Sequence, residues 1–223
     1  MEKLILALFI IAITKLNIMA QNDPIRYVAL GDSYTIGEGT SPDKSWPSII
    51  VSNLKKEGVD IELIANPSVT GWTTQDLIDK ELPIFDSSKA NFVTILIGVN
   101  DWVQEVSAEQ FSKNFELILN HVQNRLKDPS KVLIVNIPDF SVTPDGPKYS
   151  KGRDISAGLE EFNKIISKHA KARNLQVVDL FSVSKEMKDK PELVAADNLH
   201  PSAKTYLRWE EVIFPYARDI LKK

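Results

Sequence analysis

The sequence contains no cysteine among its 223 residues. Disulfides, a thiol nucleophile, thiolate metal sites and a lipid-modified N-terminal cysteine are excluded with it. An excess of one charge is also lacking: 27 basic residues face 30 acidic ones, the net charge is −3, and the two signs are interspersed. No field that would draw a protein to nucleic acid or to an anionic membrane surface follows from that balance. There is no Gly-x-Gly-x-x-Gly and no Walker loop, so nucleotide binding has no motif behind it. His-Glu-x-x-His and paired histidines are missing, which argues against a metal site. The Gly-x-Ser-x-Gly elbow of α/β-hydrolases is missing too. Ser41-Pro42-Asp43-Lys44 and Ser182-Val183-Ser184-Lys185 fit Ser-x-x-Lys without its partner motifs and read as chance.

Long apolar runs are confined to the N-terminus. Glu2-Lys3 precedes the run Leu4 to Ile13, and Ile18-Met19-Ala20 precedes Gln21. A short basic start, an apolar stretch and a small residue at the end make a secretory leader over residues 1–20, with cleavage after Ala20. The run is shorter than the roughly 20 apolar residues that span a bilayer. The alternative is an uncleaved anchor. A secreted or periplasmic location is expected, without stable membrane insertion after cleavage.

The remaining chain, 21–223, reads as one domain, and a 43% hydrophobic content suffices for one core. Apolar stretches at 25–30, 59–65, 92–97, 132–137 and 176–180 read as strands. Helical spacing appears at 46–57, 73–80, 108–127, 155–172 and 203–221. Five near-continuous apolar strands with helices between them predict a parallel sheet covered on both faces, a three-layer α/β/α sandwich. Right-handed crossovers would bring the strand C-termini to one edge, where ligands bind in such sheets. Residues 138–152, rich in Pro, Ser, Asp and Gly, read as an exposed loop.

Four polar segments fall at that edge or near the end of the chain. Gly31-Asp32-Ser33 follows the first strand, so the glycine can turn the chain out of the sheet and present a serine. Asp197-Asn198-Leu199-His200-Pro201 lies near the C-terminus. A serine hydroxyl is a weak nucleophile that needs a base, most often histidine, and the base needs a carboxylate to orient it. Asn66-Pro67-Ser68-Val69-Thr70-Gly71 follows the second strand and Gly98-Val99-Asn100-Asp101 the third. A glycine N–H and an asparagine amide at those places could donate to an oxyanion.

Taken together, these segments resemble the SGNH/GDSL hydrolase family, whose four blocks carry Ser, Gly, Asn and His in that chain order. Ser33, Gly71, Asn100 and His200 match, as does the final Asp-x-x-His-Pro, and the resemblance spans roughly residues 25–221. It implies a flavodoxin-like sheet and no cofactor. It implies Ser33 as nucleophile, His200 as base and Asp197 as its orienting acid. The Ser33 and Gly71 N–H groups and the Asn100 side chain would form the oxyanion hole. The second block, Asn-Pro-Ser-Val-Thr-Gly, lacks the extra small residues often found before the glycine.

Other polar residues receive structural expectations. Asp32 and Asp101 should brace loops, and Asp179 should satisfy backbone donors at the end of the fifth strand. His121 and His169 read as half-buried histidines without an acid and base set around them. Trp72 and Trp102 either wall the acyl pocket or belong to the core. Two function classes stay open: an esterase acting through an acyl-enzyme, or a non-catalytic carbohydrate-binding protein on the same fold. Within the first, the substrate is a sugar acetate or short-chain ester, with lysophospholipids and thioesters as the alternative. The oligomeric state is not indicated. The exported protein is expected to begin at Gln21, which N-terminal sequencing or the intact mass of the secreted product checks.

Overall fold

The computed structural model describes residues 23–222, and the expected leader over residues 1–20 lies outside them. Five strands form one sheet: β1 (Ile25–Gly31), β2 (Ile61–Ala65), β3 (Phe92–Leu96), β4 (Val132–Val135) and β5 (Gln176–Val178). All are parallel, in the order β2-β1-β3-β4-β5. This is the flavodoxin-like order, with its switch point between β1 and β3. Every residue of β3 and β4 is buried, which explains why these strands show unbroken apolar runs instead of alternation.

Nine α-helices, with short 3-10 turns and one π-helical turn between them, complete the described residues. Short α1 (Ser33–Ile36) follows β1, and α2 (Trp46–Lys56) leads back to β2. α3 (Thr74–Asp76) and α4 (Leu82–Ser88) flank a π-helical turn at Leu77–Glu81. α5 (Val99–Val103) follows β3 and α6 (Ala108–Arg125) leads to β4. α7 (Ile155–Ala172) leads to β5, and α8 (Leu180–Ser184) and α9 (Ala203–Leu221) close the chain. α2 packs on α9 on one side of the sheet, while α4, α6 and α7 pack together on the other. On the second side Phe111 of α6 stacks on Phe162 of α7, ring centroids 4.4 Å apart.

The expected elements are all present, with shifted bounds and additions. The helix expected at 73–80 runs on to Ser88. Pro83 has no N–H to give to the carbonyl four residues back and its ring crowds that carbonyl. The ladder widens accordingly, and the Leu82 N–H bonds the Leu77 carbonyl five residues back. Short α1, α5 and α8 are too brief for a periodic signal, and each starts where a strand ends.

Residues 138–152 depart from the expectation of an exposed loop. Asp139, Phe140 and Thr143 are buried, and two 3-10 turns shape the segment. Its prolines and glycines make tight turns that fold the loop onto the sheet edge. The Asp145 N–H bonds the Asn198 carbonyl, tying it to the segment that carries His200.

Gly98, between β3 and α5, has φ of 124°, and a Cβ there would meet Phe111 at 2.6 Å and Ile137 at 2.9 Å. Gly98→Ala is therefore expected to cost about 1–3 kcal/mol or more through overpacking and backbone strain. Urea denaturation monitored by tryptophan fluorescence measures it.

Candidate active site

β1 ends at Gly31, which pairs with Leu96 at the end of β3. A Cβ on Gly31 would lie 2.3 Å from the Leu96 carbonyl, so only glycine lets the chain leave the sheet here. Asp32 then caps α1, accepting the Tyr34 N–H at 3.0 Å. Ser33 is the first residue of that helix, and N–H groups of a first turn have no partner within the helix. Its side chain is presented at the C-terminal edge of the sheet, beside the switch point.

Asn100 stands in α5, directly after β3, and donates from Nδ2 to the Trp72 carbonyl at 2.9 Å. An amide NH₂ has two hydrogens, so one is left for another acceptor. Gly71, with φ of 88°, makes the turn before α3, and its carbonyl accepts from Gln104 Nε2 at 3.0 Å. The loops after β2 and β3 are thus bonded to one another.

His200 sits just before α9 in a closed turn. The Ala195 N–H bonds the His200 carbonyl, and the Asn198 N–H bonds the Ala195 carbonyl. Asn198 takes a left-handed φ of 61°, which asparagine tolerates well. Asp197 Oδ1 accepts the N–H groups of Leu199 and His200 at 3.0 and 2.9 Å. Its Oδ2 lies 2.6 Å from His200 Nδ1. Partial burial works to raise the Asp197 carboxyl, but the Leu199 N–H, the His200 ring and the His200 N–H hold it below its usual value. A carboxylate on Nδ1 leaves Nε2 as the free acceptor of the ring. Tyr34 supports the imidazole edge-on, ring centroids 6.1 Å apart.

Ser33, Asn100 and His200 line one cleft of about 60 Å³ with Tyr34, Val99, Val103, Phe140, Tyr149 and Leu199. Asp197 reaches it through His200. Gly71 does not line it and is joined to it through the bond of its neighbour Trp72 to Asn100. A larger hollow, about 770 Å³, opens at the N-terminal ends of the strands among Asp23, Arg26, Asp86 and Arg125. It holds no nucleophile and base pair, so the chemistry selects the smaller cleft.

The bracing acids take their expected part. Asp101 is buried and accepts from the Thr74 N–H at 2.8 Å and from the Thr74 hydroxyl. Burial pushes Asp101 up to about 6 and Asp32 up to about 8. Asp179 caps α8, accepting from the Ser182 N–H at 3.1 Å. It also accepts from Asn136, whose own Oδ1 takes the Leu180 and Phe181 N–H groups.

Of the two places expected for the tryptophans Trp102 takes the one in the core and Trp72 takes neither, and the expectation for His121 needs correction. Trp102 stands behind the cleft wall: it packs on Phe140, and Phe140 packs on Tyr149. Trp72 instead lies under the Lys80 ammonium, 4.9 Å from its ring centre. His121 does have an acidic partner, Asp86 Oδ1 at 2.8 Å, and His169 bonds Ser112 at 2.8 Å. Both are helix-to-helix surface contacts formed by residues distant in sequence.

Phe140, Tyr149 and Leu199 are cleft residues with no sequence signal, because each lies in an irregular segment. Among the described residues no group of three or more His, Cys, Asp or Glu side chains is placed to hold a metal ion. None of the described helices is long and apolar enough to cross a membrane.

A parallel 2-1-3-4-5 sheet with a serine, an asparagine and an acid-bound histidine at its C-terminal edge defines a class of serine hydrolase. The chain belongs to the GDSL-like Lipase/Acylhydrolase family, which it matches over residues 29–208, and it is an ester hydrolase. That assignment selects the enzyme over the non-catalytic binding protein. An arylesterase of Vibrio mimicus is 26% identical over 176 residues, 79% of this chain and 80% of that protein. The solved structure of TesA superposes with a TM-score of 0.69 at 22% identity, covering 87% of this chain and 99% of that one. Axe2, an acetylxylan esterase from Geobacillus stearothermophilus, gives a TM-score of 0.68 at 17% identity over 88% and 94% of the two chains. At such identities the two structures speak for the fold.

Thr74→Val keeps the shape of a fully buried side chain and removes the hydroxyl from Asp101. The buried carboxyl oxygen loses a donor, and a loss of about 1–3 kcal/mol in folding stability is expected. Chemical denaturation beside wild type checks it.

Proposed function

We propose that the chain is an exported serine esterase that hydrolyses short-chain acyl esters, acetyl groups on carbohydrate among them, through an acyl-enzyme on Ser33. The observation that carries this reading is the cleft in which Ser33, Asn100 and His200 meet. It is small, and Val99, Val103, Phe140 and Leu199 make much of its lining apolar. An acetyl or butyryl group suits that room. A fatty-acyl chain of the lysophospholipase or thioesterase type would have to lie outside.

In this reading His200 Nε2 takes the Ser33 proton as Oγ attacks the ester carbonyl. Asp197 holds the Nδ1 proton and stabilises the imidazolium. The oxyanion faces the Ser33 N–H and the second hydrogen of Asn100 Nδ2, while Gly71, the third donor the family resemblance implies, does not line the cleft and holds the loop beside it. Such donors contribute about 2.7–4 kcal/mol each to the transition state. His200 then returns the proton to the leaving alcohol, and a water activated by the same ring releases the acid. The bond from Asn100 to the Trp72 carbonyl fixes the amide in advance, so little reorganisation is needed during the reaction.

Ser33→Ala is expected to lower turnover of p-nitrophenyl acetate by at least about 10⁴-fold while the fold is kept. An organophosphonate should label wild type at Ser33 alone, as read by peptide mass spectrometry. An active Ser33→Ala variant, or a label elsewhere, overturns the nucleophile assignment. Across acetate, butyrate, octanoate and palmitate esters, run beside an acetylated polysaccharide, kcat/KM should be highest for the two shortest. A maximum at palmitate would sink the short-chain reading.

Asp197→Asn leaves a hydrogen-bonding group beside the ring but favours the wrong tautomer. A buried triad acid changed in this way costs about 10⁴-fold. The Asp197 side chain is 41% exposed, so water can replace part of its action. A fall in kcat of about 10²–10³-fold is expected from steady-state kinetics.

A further inference from the structure

Beneath the turn that carries Ser33 lie three carboxyl groups, Asp32, Glu81 and Asp101, each with 0% exposure. Asp101 is bonded through both oxygens to Thr74. The other two are half-satisfied. Glu81, the last residue of the π-helical turn, accepts the Gly31 N–H on Oε2 at 3.0 Å, and its Oε1 has no partner. Asp32 accepts the Tyr34 N–H on Oδ1, and its Oδ2 has no partner. The two carboxyls therefore grip the nucleophile's turn from two sides, each with one orphaned oxygen.

Among the described residues no cation is paired with Asp32 or Glu81. The charges acting on Glu81 are those of Asp32, from the turn after β1, and Asp76, from α3. Asp101, at the start of α5, acts on Asp32. All three are negative. Lys80, beside Glu81 in sequence, is bound to Asp76. A buried carboxylate with an orphaned oxygen and only like charges around it is strongly disfavoured, whereas a carboxylic acid gains an O–H donor and loses its charge. Burial accordingly pushes Glu81 up to about 9.

We propose that Glu81 keeps its proton under Ser33 and, held neutral, is a positioning residue for the nucleophile. Neutral Glu81 holds the Gly31 N–H and so sets the point at which the chain turns towards Ser33. An ionised Glu81 would place a further negative charge beneath the forming oxyanion and oppose it. The inference rests on the reading of Ser33 as nucleophile.

The test is the pH dependence of activity and of stability in wild type, Glu81→Gln and Glu81→Leu. Glutamine is neutral and still offers an oxygen to the Gly31 N–H. Glu81→Gln should keep kcat within about threefold at neutral pH and lose the part of the alkaline fall in kcat centred near pH 9, leaving only what Asp32, raised to about 8, contributes. Glu81→Leu orphans the Gly31 N–H, and its kcat should fall about tenfold or more at little-changed KM. Stability supplies a readout free of catalysis. Native Glu81 keeps a proton that the unfolded chain releases near its ordinary value of 4.5, so stability is lost as pH rises from there towards about 9. Glu81→Gln should flatten that loss.

A Glu81→Gln variant with both the wild-type alkaline fall and the wild-type stability slope overturns the proposal. A folded Glu81→Leu variant with wild-type kcat overturns the positioning role. Should Glu81→Leu fail to fold, the glutamine variant still decides. Failure of the nucleophile reading would appear separately, as wild type unlabelled at Ser33 by the phosphonate.

Discussion

The backbone must leave the sheet at Gly31 without abandoning a buried N–H. β1 lies in the interior of the sheet, between β2 and β3, and its last residue is paired with Leu96. One residue later the chain turns into α1, in a space where water is excluded. An unpaired buried amide there would cost about as much as a lost hydrogen bond. Glu81 supplies the acceptor from a helix fifty residues away in sequence. Asp32 supplies the next one, for Tyr34. The position of Ser33 follows from these two carboxyls as much as from the strand before it.

The same logic of satisfied backbone groups joins the separate loops into one site. The Asn66 amide bonds the Thr35 carbonyl, tying the loop after β2 to the helix that carries Ser33. Asp101 fixes the start of α3, and Asn100 and Gln104 hold the carbonyls of Trp72 and Gly71. The Asp145 N–H and the Tyr206 hydroxyl pin the His200 side of the cleft and the Glu38 loop. Each loop is irregular alone. Bonded together, they leave few ways to move Ser33 relative to Asn100, which is the preorganisation that acyl transfer requires.

Much of this was legible in the sequence, and what was not has a physical reason. β3 and the last five residues of β1 announced themselves because both faces are covered there, so little but apolar side chains is tolerated. Ser33 and Asn100 stood out because polar residues soon after such runs are placed at the sheet edge by topology alone, and His200 because Asp197 stands three residues before it. Glu81 was concealed by its type: an acid reads as surface. Its spacing, four residues from Leu77 and four from Phe85, puts it on the buried stripe and could have marked it. The π-helical turn was hidden because Pro83 acts through a missing hydrogen bond, which no hydrophobic pattern records. The loop at 138–152 was misjudged from composition, since Phe140 and the buried Asp139 work through tertiary contacts.

The width of the cleft is decided well away from Ser33. Gly158 of α7 lets the Trp102 indole lie against the helix; a Cβ there would stand 1.8 Å from the indole nitrogen. The Arg153 guanidinium covers the indole at 3.9 Å and donates to the Trp102 carbonyl at 2.8 Å. Trp102, so clamped, supports Phe140, and Phe140 supports Tyr149 at the cleft. An aromatic wall backed by a stacked guanidinium cannot retreat without losing the stack and the hydrogen bond together. The shape of the cleft wall is thereby set by packing in α7 and the loop before it, while the positions of Ser33 and Asn100 are set by the sheet.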